Sequence, residues 1–233
     1  MSTVVSYQLH ESIATITMDD GKVNALSPSM LDQIGAALDR AESDRAVVVL
    51  SGRPGIFSAG FDLAVLGAGD DGAISMVRSG FELAERLLSF PLPVAIACTG
   101  HAMAMGSFML LSGDYRVGAA GPYKFSANEV AIGLTMPRAA LEILRQRLTP
   151  AAFTRAAILA ETFTPQNAVE VGFVDRIVDP SEVAAVTRGI ATAMAMLDMR
   201  AHSATKLRAR EQTLTAIRAA IDTDVAAFRQ PQE

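Results

Sequence analysis

The chain begins with two short stretches of β-forming residues. Residues 4–9 and 13–18 are rich in Val, Ile, Thr and Tyr, and the polar sequence His10-Glu11-Ser12 separates them. Two β-rich runs joined by a short polar segment are typical of an antiparallel hairpin. We therefore predict an opening β-hairpin.

The pattern then alternates between helical spacing and strand-length apolar runs. Ser27-Pro28 is a helix-start signal, and apolar residues recur at helical spacing over positions 30–38. Residues 46–50 and 94–98 are unbroken apolar runs, which indicate strands covered on both faces. Because residues 73–90 between them read as helical, the order predicts an α/β fold.

The alternation stops near residue 179, where the composition shifts. Two amphipathic helices are predicted there, with apolar stripes of Val186, Ile190, Met194 and Leu197 in the first and of Leu214, Ile217, Ile221, Val225 and Phe228 in the second. We expect Ser181 to cap the first helix and both apolar faces to need a partner surface. The sequence is therefore divided into residues 1–180 and 181–233.

Composition narrows the class of protein. Half of the 233 residues are apolar, 19% are charged and the formal net charge is -5. This balance is typical of a globular protein, and the acidic charge argues against a nucleic-acid partner. The single cysteine, Cys98, lies in an apolar run and has no second thiol for a disulfide or a metal site, so we interpret it as a core residue.

Membrane and secretory signals are not visible in the sequence. The longest apolar run, residues 102–111, falls well short of the ~20 residues that span a bilayer. The N-terminus has no basic region followed by an apolar stretch, which a secretory signal would show. We expect a cytoplasmic enzyme that does not enter a membrane.

Three segments carry the candidate chemistry. They are SGRPGIFSAGFDL (51–63), TGHAMAMGSF (99–108) and FSANEVAIGL (125–134). The first two follow strands, and their glycines permit turns and a close approach of backbone to a ligand. The third places one carboxylate, Glu129, among apolar residues.

In this order and spacing, the three segments resemble the signature regions of the crotonase superfamily, the enoyl-CoA hydratases and isomerases. The resemblance covers nearly the whole chain, including Asn24-Ala25-Leu26. It implies a spiral of repeated β-β-α turns over residues 1–180 and a helical trimerisation region over 181–233, with assembly as a trimer or a dimer of trimers. It also implies an acyl-CoA thioester substrate and no separate cofactor or metal, because coenzyme A is part of the substrate.

The resemblance assigns an oxyanion hole to the backbone N–H groups of Phe61 and Met105. Two such donors aimed at one thioester oxygen would favour an enolate over the ground-state carbonyl. In the family, the first position is usually small and the second is usually glycine. We expect the backbone N–H groups of Phe61 and Met105 to remain donors despite these replacements. The points to test are the bulk of the two side chains and the loss of the positive φ that glycine allows at position 105.

Glu129 matches the second of two catalytic glutamates in hydratases, and the first falls on Phe108. Because moving a double bond needs one base whereas hydration is usually assigned to two carboxylates, the pattern resembles an isomerase that converts 3-enoyl-CoA into 2-enoyl-CoA. A hydratase with a water held by Glu129 and a non-catalytic acyl-CoA-binding protein are the alternatives. From the local sequence alone, Glu129 also fits the first turn of a helix capped by Asn128.

The remaining predicted site residues come from the resemblance. The substrate and coenzyme A cleft is assigned to Lys22, Val23, Ala25, Ala59, Asp62, Leu63, Gly106 and Phe108. Lys206 is the nearest match to a C-terminal lysine that reaches coenzyme A in the family. His101 is assigned a positioning role, and Arg53 is a candidate neighbour of the phosphates.

Overall fold

Strands and helices alternate along residues 2–228, which this computed structural model describes. The strands are β1 (Val5–His10), β2 (Ile13–Met18), β3 (Ala25–Leu26), β4 (Val47–Ser51), β5 (Gly55–Ser58), β6 (Gly60–Phe61), β7 (Val94–Cys98), β8 (Gly100–Met103), β9 (Tyr115–Ala119), β10 (Phe125–Ser126) and β11 (Arg176–Val178). The helices are α1 (Pro28–Ser43), α2 (Leu63–Leu66), α3 (Asp71–Ser89), α4 (Met105–Leu111), α5 (Arg138–Arg145), α6 (Pro150–Leu159), α7 (Pro165–Val171), α8 (Val183–Met194), α9 (Met199–Ala209) and α10 (Glu211–Phe228).

The strands form one large and two small sheets. The main sheet has the order β1-β2-β4-β7-β9-β11, and the small sheets are β10-β8-β5 and β3-β6. The opening hairpin β1-β2 is antiparallel as predicted, and the other neighbours in the main sheet run parallel. Successive passes of the chain place one strand in the main sheet and the next in a small sheet before a helix. The predicted spiral of β-β-α turns is confirmed.

The central strands are buried on both faces, as their unbroken apolar runs predict. In β4, Val48 and Leu50 belong to the larger core cluster, whereas Val47 and Val49 face a second cluster. The same alternation places Cys98 of β7 in the larger core with no exposed surface, so its interpretation as a core residue is confirmed.

Helix α1 begins where the sequence predicts. The hydroxyl of Ser27 accepts a hydrogen bond from the N–H of Met30, and Pro28 occupies the first helical position. This cap satisfies one of the N–H groups that a helix start leaves without an intrahelical partner.

The C-terminal part differs from the prediction, because it contains three helices and they pack on their own chain. Helix α8 begins at Val183 after Glu182, with no side-chain cap, so the predicted cap at Ser181 is wrong. It covers the second face of β4, β7 and β9, and α10 packs against α3 and α5. Leu214, Ile217, Ile221 and Val225 of the α10 stripe are buried there within the chain, whereas Phe228 is exposed. A division of the chain at residue 180 stays a prediction.

No helix in residues 2–228 is both long and apolar enough to cross a membrane.

Candidate active site

A cavity of about 830 Å³ opens between the segment after β5, the start of α4, the turn after β10 and helix α10. Eight of the residues predicted from sequence line it: Val23, Ala25, Ala59, Phe61, Asp62, Leu63, Phe108 and Glu129. Lys22, Met105 and Gly106 lie outside its lining. The spiral therefore brings the three signature segments, far apart in sequence, to one cavity.

A buried asparagine fixes the two backbone segments at one edge of the cavity. Asn24 adopts a left-handed φ of +50° and its amide nitrogen donates to the carbonyl of Phe57 at 3.1 Å. The hydroxyl of Ser58 donates back to the carbonyl of Asn24 at 2.8 Å, and the N–H of Ala59 donates to the carbonyl of Val23 at 3.0 Å. These bonds hold the two segments side by side.

The backbones of the first two signature segments meet at Gly60 and Ala104. Gly60 has φ +95°, and a Cβ there would lie 2.9 Å from the Cβ of Ala104 and 3.3 Å from the nitrogen of Met105. Only glycine fits this approach. Met105 is the first residue of α4, so its N–H has no intrahelical acceptor. Phe61 and Met105, the two predicted oxyanion-hole residues, come directly after Gly60 and Ala104. The backbone segments that carry their N–H groups are therefore in contact.

The positive φ angle that the family's glycine suggests at position 105 is found one residue earlier, at Ala104. Met105 is helical, whereas Ala104 has φ +47° and ψ -127°, a conformation that L-residues rarely adopt. Strain of this kind concentrates at functional sites. A side chain at position 105 is thus compatible with the turn, and that of Met105 is buried in the core.

Gly106 serves packing and does not face the cavity. A Cβ there would lie 2.4 Å from the carbonyl oxygen of Ser58, so the first turn of α4 rests directly on β5. This close packing holds α4 against the first signature segment, and contact of Gly106 with the substrate stays a prediction.

Glu129 lines the cavity, and one of its carboxylate oxygens is buried without a hydrogen-bond partner. The residue is 7% exposed, and its Oε2 makes no hydrogen bond. Burial raises the pKa of Glu129 from 4.5 to about 7, because the charged form loses solvation. The alternative interpretation as a helix-cap acid does not hold: only a single 3₁₀ turn, Val130–Ile132, follows, and the Oδ1 of Asn128 caps nothing.

The first hydratase glutamate is replaced by an apolar wall. Phe108 is 1% exposed and its ring stacks on Phe81, with 6.1 Å between ring centroids. The other carboxylates of the described cavity lining are engaged elsewhere. Asp62 accepts the N–H of Ala64 at 2.9 Å, and Asp224 accepts an N–H from the start of α5 at 3.0 Å.

Sequence reasoning missed the wall that α10 contributes. Asp224 is buried and accepts the N–H groups of Arg138 and Ala139, each at 3.0 Å, which ties α10 to the start of α5. Phe228 and Ala227 line the cavity from the same helix. One sequence feature could have indicated this role of α10: Asp224 is an acidic residue within the helix's apolar stripe.

The two basic residues predicted to lie near coenzyme A are Arg53, which is paired within the chain, and Lys22, which is exposed. Arg53 donates to the carbonyl of Lys22 and lies 3.3 Å from a carboxylate oxygen of Asp19. Lys22 itself is exposed. Their contact with coenzyme A stays a prediction.

Lys206 does not reach the cavity. Its ammonium is buried and pairs with Asp114 at 2.8 Å, and burial lowers the pKa of Lys206 to about 8. Asp114 also pairs with Arg210 at 2.9 Å and accepts the N–H of Val94, so it joins β7 to α9. The match of Lys206 to a coenzyme A-contacting lysine is wrong for this chain's own cavity.

His101 lies outside the cavity lining. Its Nδ1 accepts the N–H of Lys124 at 3.1 Å, and its ring meets that of Tyr123 edge-on at 5.3 Å. This agrees with the positioning role assigned from sequence. Within residues 2–228, no three His, Cys, Asp or Glu side chains gather as metal ligands would.

Comparison with known proteins identifies relatives for nearly the whole chain. Residues 8–233 match the family described as "Enoyl-CoA hydratase/isomerase". The human mitochondrial enoyl-CoA delta isomerase 1 is 32% identical over 222 residues, which is 93% of this chain and 73% of the human protein.

Solved structures share both fold and sequence with this chain. An enoyl-CoA isomerase of Mycobacterium tuberculosis superposes with a TM-score of 0.93 at 52% identity, covering 97% of this chain and 99% of the other. An enoyl-CoA hydratase of Mycobacterium marinum superposes with a TM-score of 0.93 at 51% identity, and the match covers 97% of this chain and 100% of the other. Relatives of both names thus resemble the chain to a similar degree.

Proposed function

The chain belongs to the enoyl-CoA hydratase/isomerase family of enzymes, and we propose that it converts 3-enoyl-CoA thioesters into 2-enoyl-CoA thioesters with Glu129 as its single base. One observation carries this proposal. Glu129 lines the cavity and its Oε2 is buried without a hydrogen-bond partner, whereas Asp62 and Asp224, the other carboxylates of the described lining, cap helix starts. A single free base suits proton removal and return better than two-carboxylate hydration.

The proposed reaction moves one proton across the substrate. The Glu129 carboxylate removes a proton from C2 of the 3-enoyl thioester, and the electron pair moves to the thioester oxygen. The N–H groups of Phe61 and Met105 hold the resulting enolate. The Glu129 carboxylic acid then gives the proton to C4, the enolate re-forms the carbonyl, and the double bond comes to lie between C2 and C3.

The raised pKa of Glu129 supports both halves of this cycle. A base works best when its pKa lies near the operating pH, because it must accept the proton and then release it. A carboxylate with a pKa of about 7 meets this condition, whereas an exposed glutamate would hold the proton too weakly. Burial of the Glu129 carboxylate causes this shift of its pKa, and Phe81 and Phe108 line the same cavity.

The oxyanion hole supports the intermediate rather than the substrate. Donors aimed at the oxygen where charge develops typically contribute about 3 kcal/mol each. The contact between Gly60 and the start of α4 supports placement of the N–H groups of Phe61 and Met105 beside one oxygen. Coenzyme A enters as part of the substrate, and the proposed reaction needs no further cofactor.

A hydratase is the second candidate, and one observation favours it. The Oδ1 of Asn128 and the Oε2 of Glu129 are both buried without a partner, and both residues line the cavity. A water molecule that donates to both acceptors would satisfy them, and Glu129 would activate it for addition to a 2-enoyl-CoA. In this alternative the Asn128 amide replaces the missing carboxylate at Phe108.

Product analysis separates the candidates. Purified protein is incubated with 3-enoyl-CoA and, separately, with 2-enoyl-CoA, and double-bond migration and water addition are quantified by chromatography. We expect migration to be much faster than hydration. Faster hydration would replace the isomerase proposal by the hydratase, and tight thioester binding without any turnover would leave only the acyl-CoA-binding alternative.

A further inference from the structure

A glycine in the middle of helix α3 touches both residues that carry the proposed oxyanion hole. Gly80 is buried, and its backbone is helical. A Cβ at this position would lie 2.4 Å from Cε1 and 2.5 Å from Cζ of Phe61, and 3.6 Å from Cγ of Met105. Since glycine inside a helix costs about 1 kcal/mol relative to alanine, a packing reason is needed for it. Contact with these two side chains is that reason.

The Phe61 side chain also neighbours Phe81 and the cavity. Its edge packs against Phe81 with 6.3 Å between centroids and 74° between planes, and Phe81 stacks in turn on Phe108. Phe61 also lines the cavity, which a bound thioester would fill. A Cβ at position 80 would push the Phe61 ring away from α3, and with a thioester in the cavity we expect part of the displacement to reach the Phe61 backbone.

We propose that Gly80 is a positioning residue for the oxyanion hole: its bare backbone seats the Phe61 ring and borders Met105, so helix α3 sets the direction of both N–H donors. The proposal rests on the oxyanion hole of the proposed function. It explains how a large side chain at position 61 and another at position 105 are both accommodated. Misplacement of a catalytic group by about 1 Å can cost ~10²-fold in rate. The contact of Gly80 with the Phe61 ring therefore matters for the reaction rate.

The test uses the enolate of a 3-ketoacyl-CoA as a probe. Such a thioester ionises to an enolate that absorbs in the near ultraviolet, and N–H donors that stabilise the enolate lower the apparent pKa of the bound ligand. This readout needs the donors but no turnover. The variants are Gly80→Ala, Phe61→Ala and their combination, with Gly35→Ala in α1 as the matched control, because a Cβ there meets nothing within 4 Å.

We expect Gly80→Ala to weaken enolate stabilisation by at least about tenfold, which raises the apparent pKa of the bound probe by about one unit. The kcat of the reaction that the wild type catalyses should fall in parallel while KM changes little. Gly35→Ala should match the wild type. In the Phe61→Ala background, Gly80→Ala should have little further effect, because the ring through which it acts is absent.

Three outcomes would overturn the proposal: an unchanged probe pKa in Gly80→Ala, an equal loss with and without the Phe61 ring, or an effect confined to KM. If Gly80→Ala does not fold, a folded double variant supports the contact and an unfolded one refutes it. A wild type that leaves the probe pKa unshifted would instead refute the oxyanion hole, and with it the proposed function. The two failures are thus distinguishable.

Discussion

Replacing Glu129 by glutamine should stabilise the protein at alkaline pH even as it removes the proposed base. Burial raises the pKa of Glu129 from 4.5 to about 7, so the folded protein holds this proton more tightly than the unfolded chain does. Between these two values the folded state binds more protons, and wild-type stability therefore falls as pH rises. The penalty is absent below about pH 4.5 and complete above about pH 7.

The size of the effect follows from the shift. About 2.5 pKa units correspond to roughly 3 kcal/mol of unfolding free energy at 1.36 kcal/mol per unit. Glutamine does not titrate, so Glu129→Gln escapes this penalty, although its buried amide adds a pH-independent offset. From pH 5 to pH 8, the stability of Glu129→Gln minus that of the wild type should increase by about 2 to 3 kcal/mol.

Urea unfolding at several pH values between 5 and 8.5 measures this difference directly. Glu170→Gln is the matched control, because Glu170 is exposed on α7 and its substitution leaves the buried carboxylate in place. Its curve should run parallel to that of the wild type. If the unfolding free energies of Glu129→Gln and the wild type depend on pH in the same way, the claim that the buried charge of Glu129 destabilises the folded protein is refuted.

Three further predictions concern catalysis and assembly. The kcat/KM for double-bond migration should rise with pH through about 7 and then level off, because the base of the free enzyme must be ionised, and a profile flat from pH 5.5 to 9 would contradict this. Phe108→Glu, if its melting transition shows a folded protein, should raise the ratio of hydration to migration in product analysis, and no gain would mean that Phe108 does not select the chemistry. Light scattering at micromolar concentration should give a trimer or a dimer of trimers, since Met196 is 85% exposed and Leu197 50% exposed between α8 and α9, and a single-chain mass would contradict it.

The fold was predictable wherever the local pattern decided the outcome. The hairpin, the Ser27 cap and the doubly buried β4 and β7 follow from residue periodicity and capping chemistry. Association of subunits through the C-terminal helices stays a prediction, and their apolar stripes alone do not reveal which surfaces cover them within the chain. Here the surfaces are the main sheet and α3 with α5.

The candidate site was predictable from motifs but its supporting contacts were not. Glu129 and Phe108 share one cavity as the resemblance implies. Lys206 was matched by position alone, and its burial against Asp114 arises from tertiary packing that spacing does not encode. The seat of Phe61 on Gly80 joins residues from different elements for the same reason. The cytoplasmic location stays a prediction.

The turnover of Glu129→Gln on 3-enoyl-CoA tests the single-base account most directly. The substitution keeps the shape of the side chain but removes its ability to accept a proton, so kcat should fall by at least ~10²-fold while thioester binding persists. Glu170→Gln, assayed beside it, should turn over like the wild type. Unchanged turnover in Glu129→Gln would contradict the account, because the proton would then be moved by another group.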